Sequence, residues 1–179
     1  MDVFVEYLVK RRSTPATALL KVAIALVAVV LILVLIVLSL GLGNFAVFAV
    51  AAAFGAGYGA WYLLTGFNVE FEYSFTNGEI DIDKIIAQRK RKRLITVVCR
   101  EVEAVGKYNP AAHTNANYQT KIFACEDEKD TENTWYLIYK SVNFGKTLVV
   151  FNPPQKMLTA MKPFLPRLLQ NDLQRNGLM

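Results

Sequence analysis

The sequence is poor in the residues that most enzymes use. It holds one histidine, His113, and two cysteines, Cys99 and Cys125. Two thiols and one imidazole do not make a four-ligand zinc site, and a Cys/His nucleophilic pair needs segments that nothing in the sequence brings together. Walker-type phosphate loops, metallohydrolase motifs and nucleophile elbows are all absent. Charge is missing too, but only locally. From Val22 through Val69, 48 residues carry no charged side chain. A single helix of that length would be about 70 Å long, more than twice a bilayer core, so it must fold back. The break is legible at GLGN, Gly41 to Asn44. Two transmembrane helices are predicted, about Ala18 to Leu42 and about Phe45 to Thr65.

A cleaved signal peptide is the competing reading of the first run, disfavoured because the run is too long for an h-region and is followed by a second span. Lys10, Arg11, Arg12 and Lys21 precede the first span, basic residues follow the second, and the GLGN turn has none. That asymmetry puts both termini in the cytoplasm. The cysteines then lie in a reducing compartment and read as small buried hydrophobes. The expected division is a cytoplasmic N-terminal segment (1–17), a two-helix hairpin (18–66) and a cytoplasmic domain (67–179).

The N-terminal stretch DVFVEYLVKRR is apolar at Val3, Phe4, Tyr7 and Leu8 with a basic end, which suits a short helix in the headgroup layer; a frayed tail is the plainer reading. In the second span Ala51, Gly55 and Gly59 form a small-residue stripe on which a helix can pack closely, either the hairpin partner or a second copy. The run GAGYGA within it follows no strand and is not a dinucleotide motif. Trp61 and Tyr62 fall where an interfacial anchor belongs.

From Phe67 the period changes to two. Val69, Phe71, Tyr73 and Phe75 alternate with polar residues, Asn77-Gly78 supplies a type I′ turn, and Ile80, Ile82 and Ile86 continue the pattern, so a β-hairpin is predicted. Further strands are expected near Leu94 to Val105, Thr120 to Cys125, Thr134 to Ser141 and Lys146 to Phe151. The longest loops run over 109–117 and 126–133. Asn152-Pro153-Pro154 then opens a helix with Met157, Leu158, Met161, Phe164, Leu165 and Leu168 on one face, kinked or split at Pro163 and Pro166. About six strands and one C-terminal helix make an α+β, mainly β, domain.

The strands opening with EFEYSFTNGEIDIDKI, the basic run QRKRKRLITV and the closing VVFNPPQKMLTAMKPFLPR resemble the membrane-attached PH-like domains of small bacterial proteins. With VEYLVKR before two spans, the whole chain resembles an uncharacterised bacterial membrane-protein family of that layout. The resemblance implies a partly open antiparallel barrel of about six or seven strands, closed by the C-terminal helix. It implies no established activity.

If Asn77-Gly78 sets the hairpin register, Asp81 faces Ser74 and Asp83 faces Glu72, with Glu70 and Glu79 on the same face. This cluster reads as a solvated face or one neutralised by neighbouring cations, and no metal or cofactor is expected. His113 reads as a polar loop residue. The basic run Arg89, Lys90, Arg91, Lys92 and Arg93 is too isolated for nucleic acid: the chain from Phe67 onward holds 16 Lys and Arg against 13 Asp and Glu. The same register brings Arg89 level with Gly66, which points the run at anionic lipid headgroups. A non-catalytic membrane protein is expected, with membrane lipids or a protein partner as its ligands; an adaptor subunit of a larger membrane complex or transporter is the alternative, and an enzyme using the hairpin carboxylates or His113 is the third reading.

Overall fold

A computed structural model describes residues 3–113, 116–128, 130–141 and 144–177. Parts of the two longest expected loops, residues 114–115 and 129, lie outside the described residues. The chain forms two units: Ser13–Asn68, and the segment up to Arg12 joined with everything from Val69 onward.

The first unit is a helical hairpin. Helix α1 spans Pro15–Gly41 and α2 spans Ala46–Gly66, with one 3₁₀ turn, Gly43–Phe45, between them. Thr14 caps α1 by accepting the Thr17 N–H at 3.3 Å, and Pro15 occupies the first turn, where no N–H is missed. No side chain of α1 is buried. An apolar helix with only one face, through Ile24, Ala28, Ile32 and Leu35, half-buried and the rest exposed suits hydrocarbon rather than water. Both helices are long and apolar enough to cross a membrane.

The contact between them differs from the expected stripe. Ala49 and Ala53 are the buried residues of α2, and a Cβ added at Gly57 would meet Ile32 Cδ1 at 3.8 Å. Ala51 and Gly55 are exposed, and a Cβ at Gly55 or Gly59 would meet nothing within 4 Å. The hairpin therefore uses Ala49, Ala53 and Gly57, a second small-residue series at the same spacing.

The second unit begins with a strand. Residues Phe4–Lys10 form β1, not the interfacial helix suggested by their apolar positions. Val5 and Val9 point into the core while Glu6, Leu8 and Lys10 point out, a period of two rather than 3.6. β1 pairs antiparallel with β2 (Val69–Thr76), which pairs with β3 (Glu79–Ile86) and then β4 (Lys90–Val98). The β2–β3 register is as expected, with Ser74 opposite Asp81 and Glu72 opposite Asp83. Asn77 (φ 48°) and Gly78 (φ 99°) make the turn, and Phe164 lies over Gly78 so closely that an added Cβ would sit 2.7 Å from its ring.

The expected single strand near 94–105 is two strands, β4 and β5 (Val102–Lys107), separated by a 3₁₀ turn at Cys99–Glu101. The second sheet has the order β5-β7-β8-β6, with β6 at Thr120–Ala124, β7 at Trp135–Ser141 and β8 at Gly145–Phe151. β6 runs parallel to β8. The described residues thus hold eight strands in two sheets that are not closed into a barrel, with one parallel pair where an all-antiparallel barrel was expected. Pro153 and Pro154 follow β8 and lack the N–H groups that would carry its ladder onward.

The core lies between the sheets and the C-terminal helices. Tyr73, Phe75, Ile80, Ile82 and Val97 from one sheet meet Leu137, Val149 and Phe151 from the other, sealed by Met157, Leu158 and Met161 of α4 (Gln155–Met161). A 3₁₀ turn at Lys162–Phe164 and helix α5 (Arg167–Arg175) follow, so the helix is split at its prolines as predicted; Leu168, however, is exposed. The Tyr73 hydroxyl bridges the sheets: it donates to the Ala124 carbonyl and accepts from the Asn152 N–H at 3.2 Å. Burial pushes its pKa up, so it remains a donor.

Candidate functional site at the basic end of the first sheet

The register places one set of residues at one end of the first sheet. Lys10 lies opposite Glu70, Val69 opposite Ile86, and Ile86 opposite Lys90. The Arg11 N–H donates to the Val69 carbonyl at 2.9 Å. The two chain connections to the helical hairpin, at residues 12–13 and 68–69, therefore leave from this same end. Arg11 pairs with Glu128 at 3.0 Å and Arg12 with Glu126 at 3.1 Å. Both pairs are exposed, so they fix side-chain positions more than they add stability. Lys21, in the other unit, holds its ammonium 6.0 Å from the Phe67 ring.

The basic run is not one patch. It forms the first half of β4, so successive side chains take opposite faces. Arg91 and Arg93 turn to the outer face and are committed there. Arg91 bonds Asp83 through Nε at 2.7 Å and also reaches Glu72; Arg93 bonds Asp83 through Nε at 2.6 Å and Asp81 at 2.8 Å. The expected neutralisation of the hairpin carboxylates is this network, and among the described residues no acidic group is arranged to hold a metal.

Burial raises the pKa of Asp83, but the hydrogen bonds from Arg93 and Arg91 more than offset it and leave the carboxyl below its usual 3.8. Glu72 goes the other way: burial and the neighbouring Glu6 hold it above 4.5 against the pull of Arg91. Asp83 stabilises the fold above pH 3.8, and that contribution is lost as the pH falls through the lower folded value. Asp83→Asn is therefore expected to lower unfolding free energy at neutral pH by about 1–3 kcal/mol, less than for a fully buried pair because both arginines are half exposed. Denaturant titrations across pH check this: the gap between the two proteins should close only below pH 3.8.

Lys90 and Lys92 take the other face, and Lys92 lies directly opposite Lys84. Like charges opposed across a ladder repel. Among the described residues Lys84, Lys90 and Lys92 form no salt bridge. The turn that leads into them is strained as well. Ala87 (φ 53°) and Gln88 (φ 56°) both occupy the left-handed region without being glycine or asparagine. Repelling charges and backbone strain at one place are what a binding surface tolerates and a purely structural end avoids. Lys84 was missed in the sequence because a lone lysine in an isoleucine strand carries no signal until β4 is set beside it.

His113 is not a loop residue in solvent. It ends the short helix α3 (Pro110–His113), buried among Tyr108, Tyr118 and Tyr136, with Nδ1 2.7 Å from the Tyr118 hydroxyl. Burial, helped by Lys121, lowers its pKa, which favours the neutral ring. Cys99 and Cys125 are free and buried, with burial pushing their thiols up to about 12 and about 11. They behave as small hydrophobes, as expected.

The family model for "Bacterial PH-like domain (DUF6106)" matches residues 1–171. The chain belongs to this bacterial PH-like family. The match includes β1 and both helices, so the strand before the hairpin and the PH-like domain after it are parts of one family unit. No curated protein and no solved structure matches the chain. Membership of a PH-like family suggests a lipid- or protein-binding module.

Proposed function

We propose that this is a non-catalytic protein of the bacterial cytoplasmic membrane, spanning it twice with both termini in the cytoplasm, whose PH-like domain contacts anionic lipid headgroups. The contact surface is the basic end of the first sheet: Lys84, Arg89, Lys90 and Lys92, with Lys10 beside them. Arg91 and Arg93 have the lesser part, since their guanidinium groups are held by Glu72, Asp81 and Asp83.

The observation that carries the proposal is the β1–β2 ladder. β1 precedes the helical hairpin and β2 follows it, yet they pair over seven residues. Strands in one sheet share one side of a membrane, so an even number of crossings separates them. Lys10, Arg11, Arg12 and the basic turn support the cytoplasm as that side. Two residues separate β2 from the end of α2, a reach of about 10 Å, which supports a headgroup-facing role for this end of the sheet.

Binding to phosphatidylglycerol-containing vesicles, compared with phosphatidylcholine alone and measured across a salt series, tests this. The expected result is selective binding that weakens steeply with ionic strength. Equal binding to both vesicles at every salt concentration would contradict it.

A further inference from the structure

The two edges of the first sheet are protected very differently. The β4 edge carries Lys90, Arg91, Lys92 and Arg93 in succession, which discourages pairing with another chain. The β1 edge carries exposed apolar residues instead: Phe4 is 60%, Tyr7 42% and Leu8 49% accessible. An apolar open edge strand is a template for pairing.

The backbone of β1 is poised for it. Val3 accepts from the Asn77 N–H and Arg11 donates to Val69, so the odd-numbered residues of β1 bond to β2. The N–H and C=O groups of Glu6, Leu8 and Lys10 then point away from the sheet. Arg12 continues this parity and its N–H is taken, by the Glu126 carbonyl at 2.8 Å. For Glu6, Leu8 and Lys10, no backbone partner on that side is present among the described residues.

A cleft of about 670 Å³ lies along this edge, in the size range of ligand sites. Its lining includes Pro153 and Pro154, which offer no N–H to an entering strand, whereas Leu8 and Lys10 of β1 offer both backbone groups. Tyr7 gives it exposed aromatic surface over buried Trp135 and Leu158, and Lys10 and Lys107 give it positive charge, Lys107 also donating to the Glu132 carbonyl. Its acidic residue, Glu126, is already held by Arg12.

We infer that the β1 edge is a docking site for an extended acidic segment of a partner protein, which adds a strand to the first sheet and sets its carboxylates against Lys10 and Lys107. Main-chain bonds to Glu6, Leu8 and Lys10 supply affinity, and alternate side chains supply specificity. This goes beyond the headgroup reading and stands without it.

The test uses the full chain in phosphatidylcholine nanodiscs and two bead-displayed libraries of short peptides. One alternates Val, Ile and Tyr with Asp and Glu; the other replaces the acidic residues with Lys and Arg. Acidic peptides should be enriched, and binding them should slow amide exchange at Leu8 and Lys10. Leu8→Pro removes an outward N–H that the β1–β2 ladder does not use, so it should fold and bind roughly ten-fold or more weakly. Equal enrichment of both libraries, protection elsewhere, or full binding by Leu8→Pro would overturn the inference. So would concentration-dependent dimerisation through this edge without peptide, because a second copy would then be its occupant. If Leu8→Pro does not fold, Lys10→Glu with Lys107→Glu decides: preference should invert toward basic peptides, and an unchanged acidic preference would overturn the inference.

Discussion

A chain in which a short Gly-rich turn replaces residues 13–68 is expected to fold as a soluble, cooperatively melting domain, whereas residues 69–179 alone are expected to aggregate. The first half of this expectation rests on Arg11 and Val69 being hydrogen-bonded neighbours at 2.9 Å, so that a tight connection spans the gap without strain. The second half rests on what β1 contributes. Removing it uncovers the core around Val5 and Val9, worth about 1.5–3 kcal/mol each, and leaves β2 with an unpaired seven-residue edge. The total is comparable to the whole stability of an ordinary domain, about 5–15 kcal/mol. Thermal melts by circular dichroism, with size-exclusion chromatography, distinguish the outcomes. A monomeric, cooperatively melting 69–179 fragment would show that β1 is dispensable.

The shortened domain also gives the second large effect. Replacing Arg89, Lys90 and Lys92 together by glutamine is expected to weaken binding to phosphatidylglycerol vesicles on the order of 100-fold, from about 1 kcal/mol per cation near an anionic surface. Replacing Arg91 and Arg93 removes formal charge too, but it frees Glu72, Asp81 and Asp83 and should act mainly on stability. Vesicle sedimentation and denaturant unfolding, run on both variants, separate the two halves of the run. Equal losses of vesicle binding would mean that only the total charge matters and that the pairing on the outer face is incidental.

The parts of the fold that sequence shows well are those with a strong local signal. The uncharged stretch, the GLGN break, the Asn77-Gly78 turn and the alternation from Val69 to Ile86 each name their own structure, and the register that follows from the turn holds from Thr76–Glu79 to Val69–Ile86; its extension to Arg89 fails, because the chain turns back at Ala87-Gln88. Strand β1 was hidden because FVEYLVK also satisfies an amphipathic helix over one turn, and its partner lies beyond the two helices. The turn at Ala87-Gln88 was hidden because neither residue is a turn former, so β4 was expected to start at Leu94 rather than Lys90. That difference decides the site: as a loop, five cations would act together; as a strand, they divide between two faces. The hairpin contact was not legible for a related reason, since Ala51-Gly55-Gly59 and Ala49-Ala53-Gly57 satisfy the same spacing and only packing chooses which of them meets α1.

The basic end of the first sheet is expected to meet the bilayer, and the end at Asn77-Gly78 is not. Single cysteines at Lys92 and, at the far end of the same sheet, Glu79 can be labelled with an environment-sensitive fluorophore in the full chain, because Cys99 and Cys125 are buried with raised pKa values. Reconstituted in phosphatidylglycerol-containing bilayers, the label at 92 should be quenched by headgroup-attached nitroxide and released by high salt, while the label at 79 stays unquenched. Equal quenching at both positions, or stronger quenching at 79, would contradict the account.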